Sequence, residues 1–456
     1  MRPGMVLDIA RDLVQESTGV QAGLDRVDQW LSTDNPIEVF RKAHTPEKVS
    51  REKRELQKLA YTPILELIVS ELAQQMIVDQ VVVPGDDAAG RRMFAPWDAN
   101  GMPSKQYGLW RSAFGYGQAH LLVLPSATVH PMEAVHGAAM MPFSPRQMYV
   151  SWNDPVEDEF PAFALRLVGK TGAWHGLRLY DEEAVHYIRR DKETGELTYV
   201  EAREHGMGVV PVVTFSNGVD LEGRSPGEVD KYRVVAERHN KTTADRLLAQ
   251  HYNSWKVRYA TGLDLTGEKD PDGYKQKLAH EDVLTGGDGV QFGTLPETQL
   301  DGLLKAAEAD RDALAAVSQT PVWALNGGQL INLSAEALIE ARSMQKLKVG
   351  QKQRSNGVVV ARALRLAAFA ERRWDDADRF DLQTRWVDVE ARSLAAVADG
   401  LQKLNAMGVP PELLIEMIPG LSSGTVAEWR AHMAGVMSGP DRLASVLERQ
   451  LAGGEH

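Results

Sequence analysis

The chain has 456 residues, with 51 Lys and Arg against 63 Asp and Glu, a formal net charge of −12, and no cysteine. Single hydrophobic cores stop growing at roughly 250–300 residues, so two or more packed units are expected. Without cysteine there are no disulfide frameworks and no thiolate metal sites. The N-terminal MRPGMVLDIARDLVQES lacks the unbroken apolar run of a secretory leader, and no stretch approaches the ~18 apolar residues needed to cross a bilayer. The expectation is a soluble protein made in a cytoplasm, with no membrane contact. An acidic balance also disfavours tight, non-specific DNA binding, which draws on Lys and Arg; it is compatible with a surface along which DNA slides without sticking, and charge alone does not separate that from any acidic enzyme.

Residues 1–80 read as helical, with Leu56, Leu59, Ile64, Leu67, Ile68, Leu72 and Met76 at spacings of three and four. Residues 106–150 combine a helical piece, YGLWRSAFGYGQAH, with a strand-like LLVLP. From about 147 to 217 the pattern is β: QMYVSW, AFALRLVG, WHGLRLY, AVHYIRR and LTYVEARE are separated by turn residues, including the hairpin signal KETGE. GVVPVVTFSN closes the region as an apolar strand carrying a proline, which places it at a sheet edge.

The pattern changes at Ser225. Ser225-Pro226-Gly227-Glu228 has capping-box spacing with Pro at the first helical position, so a helix is expected from there to about Trp255. At about 1.5 Å per residue this is a rod of roughly 45 Å, and its ERHNKTTADR centre is too polar for a core helix. About forty residues rich in Gly and Asp follow, with strand-like KVRYAT and GVQFGTL. A second helix is expected over Glu297–Val317, stopped by Thr320-Pro321. Ser334 caps a third, long helix running to about Trp374, with Gly350 and Gly357 as candidate kinks. The tail from about 392 is helical, broken at GVPPE and PGLSSG.

Motifs for chemistry fail one by one. VGKTG at 168–172 resembles a phosphate-binding loop, but the required earlier glycine is Ala164, and strand-like runs flank it on both sides. A β-turn is the better reading. Glu268, Asp270, Asp272 and Gly273 resemble the start of a calcium loop whose bidentate twelfth position is Ala279, leaving a solvated acidic turn. His130 and His136 fit a loop surface, while His175 and His186 fit half-buried strand positions. Acid runs such as Glu157, Asp158 and Glu159, or Asp375 with Asp376, fit solvated faces. No catalytic constellation, cofactor site or metal site is expected.

Between Arg342 and Arg373 nine bases face one acid, Glu371. The bases are Arg342, Lys346, Lys348, Lys352, Arg354, Arg362, Arg365, Arg372 and Arg373. Such a stripe meets DNA phosphates or acidic neighbours in an oligomer, and the acidic remainder of the chain favours protein. Trp323, in the loop before this helix, is either an anchor packed beneath it or an aromatic facing a passage.

Four segments resemble, in order and spacing, those of siphovirus-type portal proteins of tailed bacteriophages: PWDANGMPSKQYGLWRSAFGYGQAHLLV, GMGVVPVVTFSN, QTPVWALNGGQLINLSAEALIEARSMQKLKVGQKQ and RWVDVEARSLAAVADGLQKLNAMGVPPELL. The resemblance spans roughly residues 45–430. It implies an α+β, mainly helical portal fold: an α/β wing over 1–224, stem helix 1 over 225–255, a small α/β clip over 256–295 and stem helix 2 over 296–318. A tunnel loop over 319–333, a long wing helix and return over 334–391, and a helical crown over 392–456 complete it.

What the resemblance implies for function is a structural protein without enzymatic activity. About twelve copies would form a ring-shaped channel at one capsid vertex for packaging, retention and ejection of double-stranded DNA. Its partners would be the terminase large subunit, major capsid and scaffold proteins, and later head-completion or adaptor proteins. It would be assembled in the bacterial cytoplasm and retained in the virion. Tunnel-loop residues Trp323, Asn326, Gly327, Gly328, Gln329 and Asn332 would face DNA, and Lys269, Asp270, Asp272, Lys275 and Lys277 of the clip would face the motor. At −12 for each copy, an acidic passage would deny DNA a resting place. The rival readings are a nucleotide-using enzyme around 168–172 and an oligomeric structural protein without a channel.

Overall fold

A computed structural model of the chain describes residues 1–33, 51–129, 137–171, 174–254, 258–261, 289–294, 298–326, 335–387 and 394–415, with 418, 425–426, 428–430 and 432. In chain order the elements begin with α1 (Pro3–Leu31), α2 (Arg51–Leu59), α3 (Ile64–Gln74), β1 (Val78–Val82), α4 (Asp87–Ala99) and α5 (Met102–Tyr116). Then come β2 (Gln118–Pro125), α6 (Ser126–Val129), β3 (Ala138–Phe143), β4 (Met148–Ser151), β5 (Phe163–Thr171), β6 (Trp174–Tyr180), β7 (Ala184–Asp191), β8 (Leu197–Glu204) and β9 (Val212–Ser216). The long helix α7 (Glu228–Ser254) leads to β10 (Arg258–Thr261) and β11 (Gln291–Thr294), followed by α8 (Asp301–Ser318) and α9 (Val322–Asn326). The chain continues with α10 (Ala335–Ala370), α11 (Trp374–Ala377), β12 (Gln383–Trp386), α12 (Leu394–Ala406) and α13 (Pro411–Leu414). No helix among the described residues is long and apolar enough to cross a membrane.

The chain divides into two compact units: Met1–Leu31, Leu65–Lys231 and Asn332–His456 in one, Ser32–Ile64 and Tyr232–Ile331 in the other. The larger unit holds two main sheets. One is an antiparallel five-stranded meander, β4-β5-β6-β7-β8. Alternation buries Leu165, Leu177, Leu179 and Ile188 on one of its faces, against Val6, Ala10 and Leu13 of α1. The other sheet has the order β3-β2-β9, so β9 lies at an edge, as Pro211 immediately before it requires. On α5, Trp110 and Phe114 are wholly buried, and Trp110 meets Phe215 of β9 edge-on at 5.1 Å and Trp386 of β12 at 5.5 Å. Each such burial stabilises the unit by about 1.5–3 kcal/mol.

Three expectations change. Residues 78–82 form a strand, not the end of a helical region, and pair antiparallel with β12 some three hundred positions later. The third long helix, one element through Gly350 and Gly357, stops short of Trp374. It ends at Ala370, with Arg372 in the left-handed region at φ 60°. Helix α7 starts at Glu228, not Ser225, and its first helical bond runs from Lys231 N to Gly227 O at 3.2 Å.

Candidate functional site

In the smaller unit, α7 and α8 run antiparallel and are fastened by side chains at two levels. Arg238 Nε donates to Asp310 Oδ1 at 2.6 Å, and Thr242 Oγ1 donates to Asp310 Oδ2 at 2.7 Å. Nearer the end of α7, Asn253 Nδ2 donates to Thr298 O at 2.8 Å while Thr298 N donates to Asn253 Oδ1 at 3.0 Å. Beyond that clamp β10 and β11 pair antiparallel, Arg258 opposite Thr294 and Thr261 opposite Gln291. These polar residues explain the hydrophilic centre of α7: its contacts are hydrogen bonds to a second helix as much as apolar packing.

The start of α7 lies in the larger unit, in a buried polar node built by four separate segments. Glu228, 1% exposed, accepts from Lys348 of α10 and from Asn217 Nδ2 (2.8 Å), and pairs with the Lys231 ammonium at 3.6 Å. Asn217 Nδ2 also donates to Pro226 O at 2.8 Å, and Lys352 donates to Asn217 O. Burial opposes ionisation of Glu228, but the Lys348 and Lys231 ammoniums and Asn217 hold its carboxyl below the ordinary range. For Lys352, burial is the main effect, and with two further cations nearby its pKa falls to about 8. The backbone is equally tight. Gly117, at φ 97°, accepts Asn217 N (2.9 Å) and the Ser225 hydroxyl (2.7 Å) on its carbonyl.

The expected capping box at Ser225 is therefore overturned. The Ser225 hydroxyl serves Gly117 and the Glu228 carboxylate serves two lysines and an asparagine, so tertiary partners take both groups of the motif. The basic stripe is corrected in part. Lys348 and Lys352 are buried on partners of their own chain. Arg362 bonds Glu159 at 2.7 Å, Arg365 lies 3.9 Å from the same carboxylate, and Arg373 pairs with Glu371 at 2.8 Å. Arg342 is half-buried, and Lys346 and Arg354 are exposed.

Two asparagines cap the open edges of the three-stranded sheet. Asn356 of α10 donates to Ser216 O (3.1 Å) and accepts from Ser216 N (3.2 Å) on β9. Asn100 does the same for β3, donating to Ala138 O (2.8 Å) and accepting from Met140 N (2.9 Å). Each amide stands in for one step of a neighbouring strand and satisfies edge groups that would otherwise template foreign pairing.

Trp323 and Asn326 fall in the short helix α9, not in an open loop, and Trp323 is half-buried. Gly327, Gly328, Gln329 and Asn332 lie outside the described residues, as do Lys269, Asp270, Asp272, Lys275 and Lys277, the acidic turn at 268–273, His130 and His136. Val168–Thr171 of VGKTG are the last residues of β5, which pairs with β6 from Trp174 onward, so this part of the motif lies in a strand and not at the start of the helix that a phosphate loop needs. Among the described residues no group of three or more His, Asp or Glu is placed to hold a metal ion.

Two buried histidines escape pattern reading as sites. His186, expected half-buried, is 1% exposed and lies 2.9 Å from Asp181 Oδ2. Burial raises the Asp181 pKa, but the bond with His186 and the amides of Ala184 and Glu183 outweigh it, to about 2. His120, 1% exposed in β2, lies 3.0 Å from Thr214 Oγ1, and burial pushes its pKa down to about 4. Both sit within otherwise ordinary strand alternation, which carries no signal for them.

The described residues thus define an α+β protein in which polar side chains fix long helices to one another and to sheet edges. Residues 24–434 match the family model described as "Phage portal protein, SPP1 Gp6-like". The chain belongs to this phage portal protein family, a family of structural proteins. No curated protein matches it. Among solved structures it is similar to a chain from "Virion of native gene transfer agent (GTA) particle", at 13% identity and TM-score 0.42, covering 82% of this chain and 95% of that one. It is also similar to a chain from "Neck of empty GTA particle computed with C6 symmetry" (14%, TM-score 0.43, 83% and 95%). A third is from "Neck of native GTA particle computed with C12 symmetry" (14%, TM-score 0.42, 87% and 98%).

Proposed function

We propose that the chain is one subunit of a ring of about twelve copies, set at one capsid vertex, through which double-stranded DNA is packaged, retained and ejected. The observation that carries this reading is the pair of clamped antiparallel helices closed by a two-stranded ribbon, within a chain whose family match spans 24–434. In this reading α7 and α8 are the stem, the segment between them is the clip that docks the terminase large subunit and later the head-completion or adaptor proteins, and 319–333 is the tunnel loop. The larger unit supplies the wing, in contact with major capsid and scaffold proteins during assembly in the host cytoplasm.

The node around Glu228 supports a wing-side anchor for stem helix 1, since Lys348 of the long helix α10 holds Glu228 in its first turn and Lys352 holds Asn217, which bonds the same carboxylate. Electron microscopy of the purified full chain tests the ring: closed particles with an axial hole are expected, and monomers or open filaments, with scaffold and capsid protein supplied, would sink it. Deleting 324–330 tests the loop. Loss of packaging or of DNA retention is expected, and wild-type values for both would remove its role.

A further inference from the structure

The five-stranded sheet has one face on α1. The opposite face is apolar and buried at one end, where Met148, Ala164, Tyr180 and Val185 lie, and open at the other. On the open part Arg166 of β5 stands directly opposite Arg178 of β6, and Arg178 directly opposite Tyr187 of β7. Arg189 follows two residues after Tyr187 on the same face, and Gly176 is its cross-strand neighbour. A like-charged pair directly opposite across two strands is unfavourable; the buried Tyr180 hydroxyl bonds both guanidiniums, but none of the three arginines forms an ion pair among the described residues. Arg111, Arg146, Arg238, Arg362 and Arg379, by comparison, each hold a carboxylate.

The guanidiniums are nevertheless held in place. Arg166 lies 4.2 Å from the Phe143 ring centroid, and Arg178 and Arg203 lie 5.1 and 4.7 Å from that of Tyr187. Arg203 is neutralised by Glu201 at 2.5 Å, which leaves Arg166, Arg178 and Arg189 as the uncompensated charge. Gly176 keeps the floor between them bare, and a Cβ there would press on Val168 at 3.3 Å. Two half-buried, ring-stacked arginines, Arg166 and Arg178, with the exposed Arg189 beside a bare notch, form a set of fork donors, the geometry suited to oxyanions.

We infer that this sheet face, centred on Arg166, Arg178 and Arg189, contacts the phosphate backbone of double-stranded DNA, as a site separate in sequence from residues 319–333. Phosphate is matched to this face by charge: three arginines stand together here with no carboxylate bound to any of them. Here guanidiniums already cover both aromatic rings, and protein–DNA interfaces are polar and positively charged in this way. The inference rests on the portal reading, which is what brings DNA to this chain.

The test measures fluorescence anisotropy of a labelled DNA duplex with the purified full chain over a salt series. The variants are the triple Arg166→Gln/Arg178→Gln/Arg189→Gln and the single Arg189→Glu at an exposed position without a partner. For three lost phosphate contacts the slope of log affinity against log salt becomes shallower by about 2.7, and low-salt affinity falls about tenfold or more. Arg189→Glu weakens binding in the same direction, with an unchanged melting temperature. Binding and slope equal to wild type in both variants, or no binding by the wild type, would overturn the inference, as would competition by polyglutamate as strong as that by DNA. Particles are imaged from the same samples: rings with unaltered binding in the variants speak against this site alone, whereas absence of rings in the wild type speaks against the portal reading.

Discussion

Arg238 of α7 and Asp310 of α8 meet at 2.6 Å, yet the two ends of this ion pair live in different surroundings: the Arg238 side chain is 57% exposed and that of Asp310 is 11% exposed. The asymmetry predicts unequal costs. Asp310→Ala removes a nearly buried charged acceptor that takes hydrogen bonds from both Arg238 and Thr242, for a loss of about 1.5–3 kcal/mol. Arg238→Ala removes a solvated partner and costs about 0–1 kcal/mol. Urea unfolding of the two variants measures both, and equal losses would show that the clamp is not organised around the carboxylate.

At Glu228 the same logic applies in a drier setting. Glu228→Gln leaves Lys348, 9% exposed, without its anion, a situation that typically costs about 3–5 kcal/mol. Lys348→Met removes the stranded charge and provides an apolar chain of similar length. The double variant is therefore expected to be more stable than Glu228→Gln alone, although it lacks more native hydrogen bonds. A double variant less stable than Glu228→Gln would mean that Lys348 serves a partner other than this carboxylate.

His120 sets an acid limit on the larger unit. Its folded pKa, about 4, lies below the ordinary value of 6.5 because the ring is buried. Between those values the unfolded chain binds a proton that the folded chain refuses, so stability rises with pH across the window and falls on acidification from 6.5 towards 4. The full effect is roughly 3 kcal/mol. His120→Gln removes this titration, so unfolding midpoints of the variant, followed from pH 7 to 4, should decline less steeply than those of the wild type.

Local periodicity made much of the architecture legible: the meander, the Pro211 edge strand, and the helix–ribbon–helix over α7 to α8 all follow from spacing and turn residues. Partners far apart in sequence were not legible. Val78–Val82 becomes a strand only because Gln383–Trp386 arrives beside it. Ser225 and Glu228 have a capping-box spacing whatever their tertiary fate, and only the fold brings Gly117, Asn217 and Lys348 to them. The stripe on α10 failed as a unit for a related reason. Charge counting cannot separate the lysines that turn inward from Lys346 and Arg354, which remain exposed.

Gly117 offers the most direct test of how tightly the node is built. Its φ of 97° strains any L side chain, and an added Cβ would fall 2.0 Å from Ser225 O, a backbone atom that cannot swing aside. Its neighbour across the contact, Gly227, would place a Cβ 2.1 Å from Gly115 O, so the two chain segments have no slack in either direction. Gly117→Ala must therefore displace the segment entering α7 and disturb the Asn217 and Ser225 hydrogen bonds together, for a loss of about 3 kcal/mol or more. Gly108, in the interior of α5 with nothing within 4 Å of its added Cβ, is the matched control. Gly108→Ala should stabilise the same helix by about 0.5–1 kcal/mol. Melting curves of the two variants should shift in opposite directions, and ring recovery should fall only for Gly117→Ala. If both alanines were tolerated alike, the close approach of residues 115–117 to 225–227 would not be what fixes the start of α7.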